Sequence, residues 1–217
     1  MQFEELSKTL YSAVLSDILD ALGARHQTMR PFIRPLDPAC TLFGRARTGL
    51  FEPRDGERAG EHPYDVEIAL LDDLRPGDVP VLACGGARET IVPWGELLTT
   101  AAMARGAVGA VTDGLMRDAR MIGRTGFPVF HGGYRPLDSK GRGKMIARDI
   151  AIDCAGVTVR PGDLIFGDQD GVVVLPQAMS EQVVARALDK ISSEDTTRAE
   201  LRAGASLADV FRRHGTL

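Results

Sequence analysis

Three residues in one stretch of this chain, Glu96, Arg117 and Asp118, have types and spacing suited to chemistry. The stretch runs from Gly85 to Asp118 and reads GGARETIVPWGELLTTAAMARGAVGAVTDGLMRD. A glycine-rich turn leads into a helix that opens at Glu96. An apolar strand, Ala107 to Thr112, follows and breaks at Asp113-Gly114 into a loop carrying Arg117-Asp118. This order brings the helix start and the strand end to one edge of a sheet, the edge where ligands of open α/β sheets bind. Carboxylate oxygens are hard ligands matched to Mg²⁺ or Mn²⁺, and Mg²⁺ usually takes one or two protein carboxylates and keeps several waters. Asp118 is the expected direct ligand, with Glu96 binding the metal or one of its waters. Arg117 offers a planar fork of donors that holds a carboxylate bidentately, which lysine cannot do. The backbone N–H groups from Trp94 to Leu97 start a helix without internal partners and form a cradle for an anion. Gly95 and Gly114 remove side chains where a ligand must approach the backbone. The expectation is a site for a divalent cation and a carboxylate substrate.

Each residue also has an ordinary explanation. Glu96 in a first helical turn is favoured by the helix macrodipole. Asp113-Gly114 is a common turn signal, and Arg117-Asp118 read alone is a solvated pair that contributes little. The joint spacing is more specific. From Gly95 to Asp118 the chain follows, nearly without interruption, the pattern G-E/D-L-L-x-x-A-A-x-x-R-G-x-x-G-x-V-x-D-G-x-x-R-D. The likeness continues through FPVF (Phe127 to Phe130), RPLDSKGRGK (Arg135 to Lys144) and VRPGDLIFGDQDGVVVLP (Val159 to Pro176).

These segments resemble the RraA-like family, whose enzymatic branch includes the 4-hydroxy-4-methyl-2-oxoglutarate/4-carboxy-4-hydroxy-2-oxoadipate aldolases. The resemblance implies that Asp118 binds the metal and Arg117 the substrate. It also implies that an acidic residue at the Glu96 position holds metal-bound water. The backbone of Pro93, Trp94, Gly95, Glu96 and Leu97 would receive the pyruvyl part of the substrate. Family aldolases carry Asp where this chain has Glu96, so the longer side chain would reach the ion directly or shift its water. They also borrow an acidic residue from a neighbouring subunit's C-terminal extension. Here that extension is KISSEDTTRAELRAGASLADVFRRHG, with Glu194 or Asp195 as the expected donor. The implied assembly is a homotrimer or a homohexamer.

Size and composition narrow the function classes. At 217 residues the chain is long enough for one full core. The division expected is a catalytic domain over 1–180 and a helical extension over 181–217. A net charge of −4 gives no electrostatic reason to bind nucleic acid. Cys40, Cys84 and Cys154 are isolated, odd in number and set in apolar runs, and read as buried reduced thiols. The first residues lack a charged n-region and a small-residue cleavage site, and no apolar run approaches a membrane span. A cytoplasmic enzyme acting on a small 2-oxo acid is expected.

The elements that must position the site are legible by periodicity. Phe3, Leu6, Leu10, Val14, Ile18 and Leu22 recur at helical spacing, and Gly23 stops the run. Residues 41–51 read as a strand, 63–74 as a helix, and VPVLACGG as the strand that delivers Gly85-Gly86 to the site. Arg75-Pro76-Gly77-Asp78 recurs as Arg160-Pro161-Gly162-Asp163, each time feeding an apolar strand, a shared turn chemistry. Residues 145–175 read as β, 179–203 as a helix and 207–214 as a short one. Strands and helices mix without strict alternation, which predicts an α+β, α/β layered sandwich similar to the swivelling β/β/α fold of the family.

The expected reaction is metal-dependent cleavage of a C–C bond in a 2-oxo acid, by retro-aldol cleavage or by decarboxylation, both leaving pyruvate enolate. The aldol route needs a base for the 4-hydroxyl proton. A metal-associated water serves, and no side chain within the motif is a clear alternative. His131 reads as a structural histidine or as a proton donor near neutral pH. Ser139 to Lys144 reads as a mobile surface loop or a phosphate holder lacking full P-loop spacing. A Schiff-base aldolase through Lys140 or Lys144 requires a lysine whose pKa is depressed by burial. The other class of function is a non-catalytic regulator that binds and inhibits an RNA-degradation enzyme, as the family's regulatory branch does.

Overall fold

Val79, Val81 and Ala83 face one core cluster and Leu82 faces another, so strand β3 (Asp78–Ala83) is covered on both sides. Such a strand belongs in the middle of a parallel sheet with layers on each face. A computed structural model of the chain, describing residues 3–86 and 89–215, places it there. Ala87 and Arg88 of the glycine-rich turn lie outside the described residues.

The order in the main sheet is β1 (Arg34–Pro35), β5 (Val129–His131), β4 (Ala110–Thr112), β3, β2 (Leu42–Pro53), β9 (Leu164–Asp168) and β10 (Gly171–Leu175), with β6 (Gly143–Arg148) on the second half of β2. Strands β2, β3, β4 and β5 run parallel, and the flanking pairs are antiparallel. The sheet curls until its ends nearly meet: Arg34 Nη1 donates to Asp170 O at 2.9 Å, and Met29 N to Val172 O at 2.9 Å. Inside the curl lies the hairpin of β7 (Ile152–Cys154) and β8 (Val157–Val159). Its Ile152, Cys154, Val157 and Val159 pack on Ala46, Val81, Val111 and Ile165.

The outer face carries two helical groups. Helices α3 (Asp65–Asp72), α4 (Glu96–Ala104) and α5 (Ala119–Gly123) cover β3 to β5 through Leu70, Leu71, Ala102 and Ile122, joined by the loop residues Trp94 and Met116. Helices α1 (Phe3–Ser7), α2 (Ser12–Ala21) and α6 (Ser180–Arg202) cover β2, β9 and β10 through Leu15, Leu19, Phe43, Phe166, Val183 and Ala187. Helix α7 (Leu207–His214) turns back on α6 through Arg213 and His214, both paired with Glu200. Hairpin, curled sheet and helices form the expected β/β/α layers. Among the described residues no helix is long and apolar enough to cross a membrane.

Both RPGD turns are built alike. Asp78 Oδ2 accepts from Arg75 N at 2.9 Å and Asp163 Oδ2 from Arg160 N at 2.8 Å, with Gly77 and Gly162 at φ 85° and 88°. Two expectations need correction. The apolar stripe from Phe3 to Leu22 is two helices, because Asp168 restarts the second: its carboxylate accepts from Ser12 N at 2.8 Å and Ser12 Oγ at 2.7 Å. Those bonds satisfy a helix start from outside the helix, a contribution no local periodicity encodes. The MIARDIAID run divides at Asp149 (φ 55°), whose carboxylate is held by Arg47 Nε and Nη2 at 2.7 and 3.0 Å.

Replacing Asp168 by alanine removes both Ser12 bonds and is expected to cost about 2 kcal/mol. That corresponds to a fall in Tm of roughly 4–8 °C for a chain of this length, measured by thermal unfolding.

Candidate active site

The loops that leave β3, β4 and β5 at the same edge keep pairing after their strands end. Leu115 N donates to Ile91 O at 3.1 Å and Arg117 N to Trp94 O at 3.0 Å. Met116 N donates to Gly133 O at 2.9 Å and Arg135 N to Met116 O at 3.0 Å. This short ladder fixes the backbone of Arg117 beside the start of α4. Trp94 braces that start, its Nε1 donating to Thr99 Oγ1 at 2.9 Å while its ring stacks on Phe127.

Asp118 then takes a left-handed conformation, φ 61°, which a short polar residue tolerates and which otherwise signals strain. Although it stands at the N-cap of α5, its side chain makes no cap bond there. It turns instead toward α4, where Oδ2 accepts from Glu96 N at 3.2 Å. Arg117 Nε lies 3.7 Å from the same oxygen, and Arg117 Nη1 lies 3.4 Å from Asp138 Oδ2. The fork thus bridges two carboxylates. Glu96 Oε1 accepts from Thr100 Oγ1 at 2.9 Å.

These residues line a cleft of about 390 Å³ together with Tyr64, Glu67, Trp94, Leu97 and Ser139. Pro93 is buried and packs toward Gly114. Gly95 and Gly114 leave space for the protein itself. A Cβ on Gly95 would meet Asp118 Oδ2 at 3.0 Å, and one on Gly114 would meet Cys84 Sγ at 2.5 Å. One donor of the expected anion cradle, Glu96 N, is already engaged by Asp118.

Three cleft residues lie outside the Gly95–Asp118 segment and were not singled out in the sequence. Tyr64 donates to Asp138 Oδ1 at 2.9 Å. Burial works to raise the Asp138 carboxyl, but the Lys140 N–H, Tyr64 and Arg117 outweigh it and hold the group below the usual carboxylate range. Glu67, on α3, is only 6% exposed. Burial first and the charge of Asp138 second push its carboxyl up to about 7, against the pull of Arg117. One signal in the sequence pointed to it: Glu67 stands in register with Leu70, Leu71 and Leu74, a carboxylate on an apolar helical stripe.

Other candidates fall elsewhere. His131 is buried with Nδ1 bound to the backbone of Gly133, and burial pushes its pKa down to about 4. It is neutral near pH 7 and is no imidazolium donor. The basic loop is anchored: Ser139 Oγ donates to Val92 O at 2.7 Å, and Lys140 lies 3.1 Å from Glu57. Lys144 bonds Glu61 and Asp65, which raise its pKa, the reverse of what a Schiff-base lysine needs. Glu194 has a task within its own chain: it accepts from the Tyr11 hydroxyl and lies 3.6 Å from Arg198. Asp195 pairs with Arg198 and is largely exposed. Cys84 and Cys154 are buried free thiols, raised in pKa by burial, whereas Cys40 is half-buried.

The profile of the RraA-like family, described as Aldolase/RraA, matches residues 12–174. The chain belongs to the RraA-like family. Among curated relatives it is 32% identical over 190 residues to a Halalkalibacterium halodurans protein named "Putative 4-hydroxy-4-methyl-2-oxoglutarate aldolase", covering 87% of this chain and 83% of that one. It is 30% identical over 196 residues to protein DlpA of Legionella pneumophila, covering 90% of this chain but spanning only 31% of DlpA. In structure it resembles Streptomyces coelicolor RraAS2, described as an unusual member of the RNase ES inhibitor RraA protein family. The TM-score is 0.78 at 29% identity, over 89% of this chain and 96% of RraAS2. This RraA-like chain is thus similar in sequence to a protein named as a putative aldolase and in structure to one described within the RNase ES inhibitor RraA family.

His131 is expected not to titrate between pH 5.5 and 8 in the folded state. Its folded pKa lies below the ordinary value near 6.5. The unfolded chain thus binds the proton more readily, and this group's contribution to stability is lost as pH falls from about 6.5 toward 4. Histidine NMR shifts followed across that range check the titration directly.

Proposed function

We propose that the chain is a divalent-metal-dependent lyase. It breaks a C–C bond of a 4-hydroxy-2-oxo di- or tricarboxylic acid to give pyruvate, and decarboxylates oxaloacetate at the same site. The observation that carries this reading is the position of Asp118. A left-handed backbone conformation turns its carboxylate to the start of α4, between the Glu96 N–H and the Arg117 fork, in an open cleft.

The donors suit the metal. Among the described residues no cluster of three or more His, Cys, Asp or Glu stands ready to hold an ion. Mg²⁺ or Mn²⁺ does not require one, since Mg²⁺ keeps several waters and takes one or two carboxylates. Asp118 and Glu96 would hold it, all-oxygen and without soft ligands. Bound there, the ion supplies Lewis-acid stabilisation of the charge that develops on a 2-oxo carboxylate.

The chain's own groups do the rest. Arg117 places positive charge and directed donors beside the reacting oxygen, and the ladder of loop hydrogen bonds keeps it there at little cost in reorganisation. Asp138 holds one arm of the fork until a substrate carboxylate competes for it. Leu97, Leu98 and Trp94 give the cleft an apolar wall that limits water. The same reading places the chain in a homotrimer or homohexamer, with an acidic residue of the C-terminal segment completing a neighbour's site. Asp195 is freer for that task than Glu194, which Tyr11 and Arg198 already engage.

The likeness to RraAS2 supports a second reading, a regulator that binds an RNA-degradation enzyme. Such a protein has no need of a carboxylate and an arginine fork meeting in a cleft, and the lyase reading accounts for both.

Pyruvate release from a panel of 4-hydroxy-2-oxo acids and oxaloacetate is expected to need Mg²⁺ or Mn²⁺ and to stop with excess EDTA. Full activity in EDTA, together with inactivation by borohydride plus substrate, would overturn the metal route. Arg117→Lys is expected to lose at least about tenfold in kcat/KM, since one ammonium cannot bridge Asp118 and Asp138 or grip a carboxylate with two donors. Kinetics near those of the unaltered protein would place Arg117 outside the chemistry.

A further inference from the structure

Cleavage of a 4-hydroxy-2-oxo acid moves a proton twice: the hydroxyl must lose one, and the enolate carbon must gain one. Asp118 and Glu96 are committed as ion ligands under the reading above, and Asp138 is held below the usual carboxylate range by the Lys140 N–H, Tyr64 and Arg117. Tyr64 is pushed up to about 12 by burial and its bond to Asp138, and His131 is neutral and buried away from the cleft lining. Glu67 is the remaining acid–base group whose placement suits the task.

It stands on α3, 6% exposed, and lines the cleft together with Arg117 and Asp138, whose charges act on it. Among the described residues no hydrogen bond or ion pair engages its carboxyl. Nor do its oxygens belong with the occluded, unsatisfied atoms, which are Gln27 Oε1, Arg54 Nε, His131 Nε2 and Thr197 Oγ1. A buried carboxyl that is neither paired nor sealed opens to the cleft. A residue there for packing alone would be apolar, as Leu70, Leu71 and Leu74 are on the same stripe.

We propose that Glu67 is the proton-transfer residue of this cleft. Resting on the lyase reading, it supplies from a side chain outside the motif the base that the sequence reading gave to a metal-associated water. The Glu67 carboxylate takes the proton of the 4-hydroxyl. The C4–O bond becomes a carbonyl, the C3–C4 bond breaks, and its electron pair forms the enolate of pyruvate. Protonated Glu67 then gives the same proton to C3, which completes the methyl group of pyruvate and restores the carboxylate. No oxidant, reductant or external acid is consumed.

The surroundings set the acid–base balance. Charged groups on the elements packed against α3 are committed to other carboxylates: Lys144 to Glu61 and Asp65, Arg148 to Asp73, Arg105 to Asp72 and Arg47 to Asp149. The charges left to act on Glu67 are those of Asp138 and Arg117, which oppose each other. Burial tips the result and brings the group to about 7, where it both accepts and returns a proton readily.

The test uses the Mg²⁺-loaded full chain as wild type, Glu67→Gln and Glu67→Asp. Two reactions are followed from pH 5 to 9: pyruvate release from 4-hydroxy-2-oxo diacids, and exchange of the pyruvate methyl protons in D₂O by NMR. Wild-type kcat/KM for cleavage is expected to rise with pH to a plateau, half-complete near 7, because the base form is required. Glu67→Gln is expected to lose at least about 100-fold in cleavage and a similar factor in exchange. It should also lose the rising limb, while calorimetry shows Mg²⁺ affinity within about threefold. Glu67→Asp is expected to recover part of both activities. Thermal unfolding gives a readout apart from activity: relative to Glu67→Gln, the wild type should lose stability as pH rises from about 5 to 7, since burial penalises the charged form.

Cleavage and exchange by Glu67→Gln within threefold of wild type would overturn the proposal, as would a wild-type profile flat between pH 6 and 8 if that variant does not fold. A wild type that neither releases pyruvate nor exchanges its methyl protons removes the lyase reading itself, and Glu67's role with it. Failure of the residue and failure of the reaction are therefore separate results.

Discussion

The site depends on hydrogen bonding that continues past the ends of three parallel strands. Parallel strands normally release their loops at the sheet edge. Here residues 91–94, 114–117 and 132–135 stay paired through Ile91, Trp94, Met116 and Gly133. The pairing holds only if the loops approach closely, and Gly114 permits this: a Cβ there would collide with Cys84 Sγ and Pro93 Cδ. Asp113, just before it, locks the other side. Its buried carboxylate accepts from Cys84 N at 2.7 Å and Ala155 N at 3.3 Å, which ties β3 to the inner hairpin. Burial raises the Asp113 pKa, against the hydrogen bonds that hold the charged form. A stretch that reads as an ordinary Asp-Gly turn is thus a junction between two layers.

From that rigid junction the electrostatics follow. Arg117 and Asp118 are each more than a third exposed, so their ion pair alone contributes little to stability. Their arrangement matters for what it presents to a ligand. Positive charge on Arg117 sits between Asp118 and Asp138, and Tyr64 steadies Asp138 from the far side, its own pKa raised to about 12 by burial and by that bond. Glu67, deeper and drier, feels both. Glu67 and Asp138 thus share a cleft with their pKa values pushed in opposite directions, and environments that separate pKa values separate chemical roles.

Much of the fold was legible from periodicity and turn chemistry. The helix opening at Glu96, the short helix from Leu207 to His214, the succession of strands over residues 145–175 and the paired RPGD turns all appear in the structure. Period-2 and period-3.6 patterns report burial directly, and burial is what shapes those elements. Helix α2 was illegible as a separate element because the group that restarts it, Asp168, lies 156 positions away. The curl of the sheet was equally hidden, since it is set by which strands pair, as in the bond from Arg34 to Asp170 O.

At the site, the sequence by itself determined the residue types and their order: two carboxylates, an arginine, and the glycines that let backbones approach. These sit within one segment whose local geometry is strand, turn and helix, so short-range spacing encodes their convergence. Only the tertiary structure decided what surrounds them. Tyr64, Glu67 and Asp138 come from segments about 50 positions before Arg117 and about 20 after it, and Glu194 is drawn to Tyr11 within its own chain. Protonation depends on burial and on neighbouring charge across space. A sequence lists which groups can titrate, and the packing of α3 against the cleft fixes where Glu67 does so.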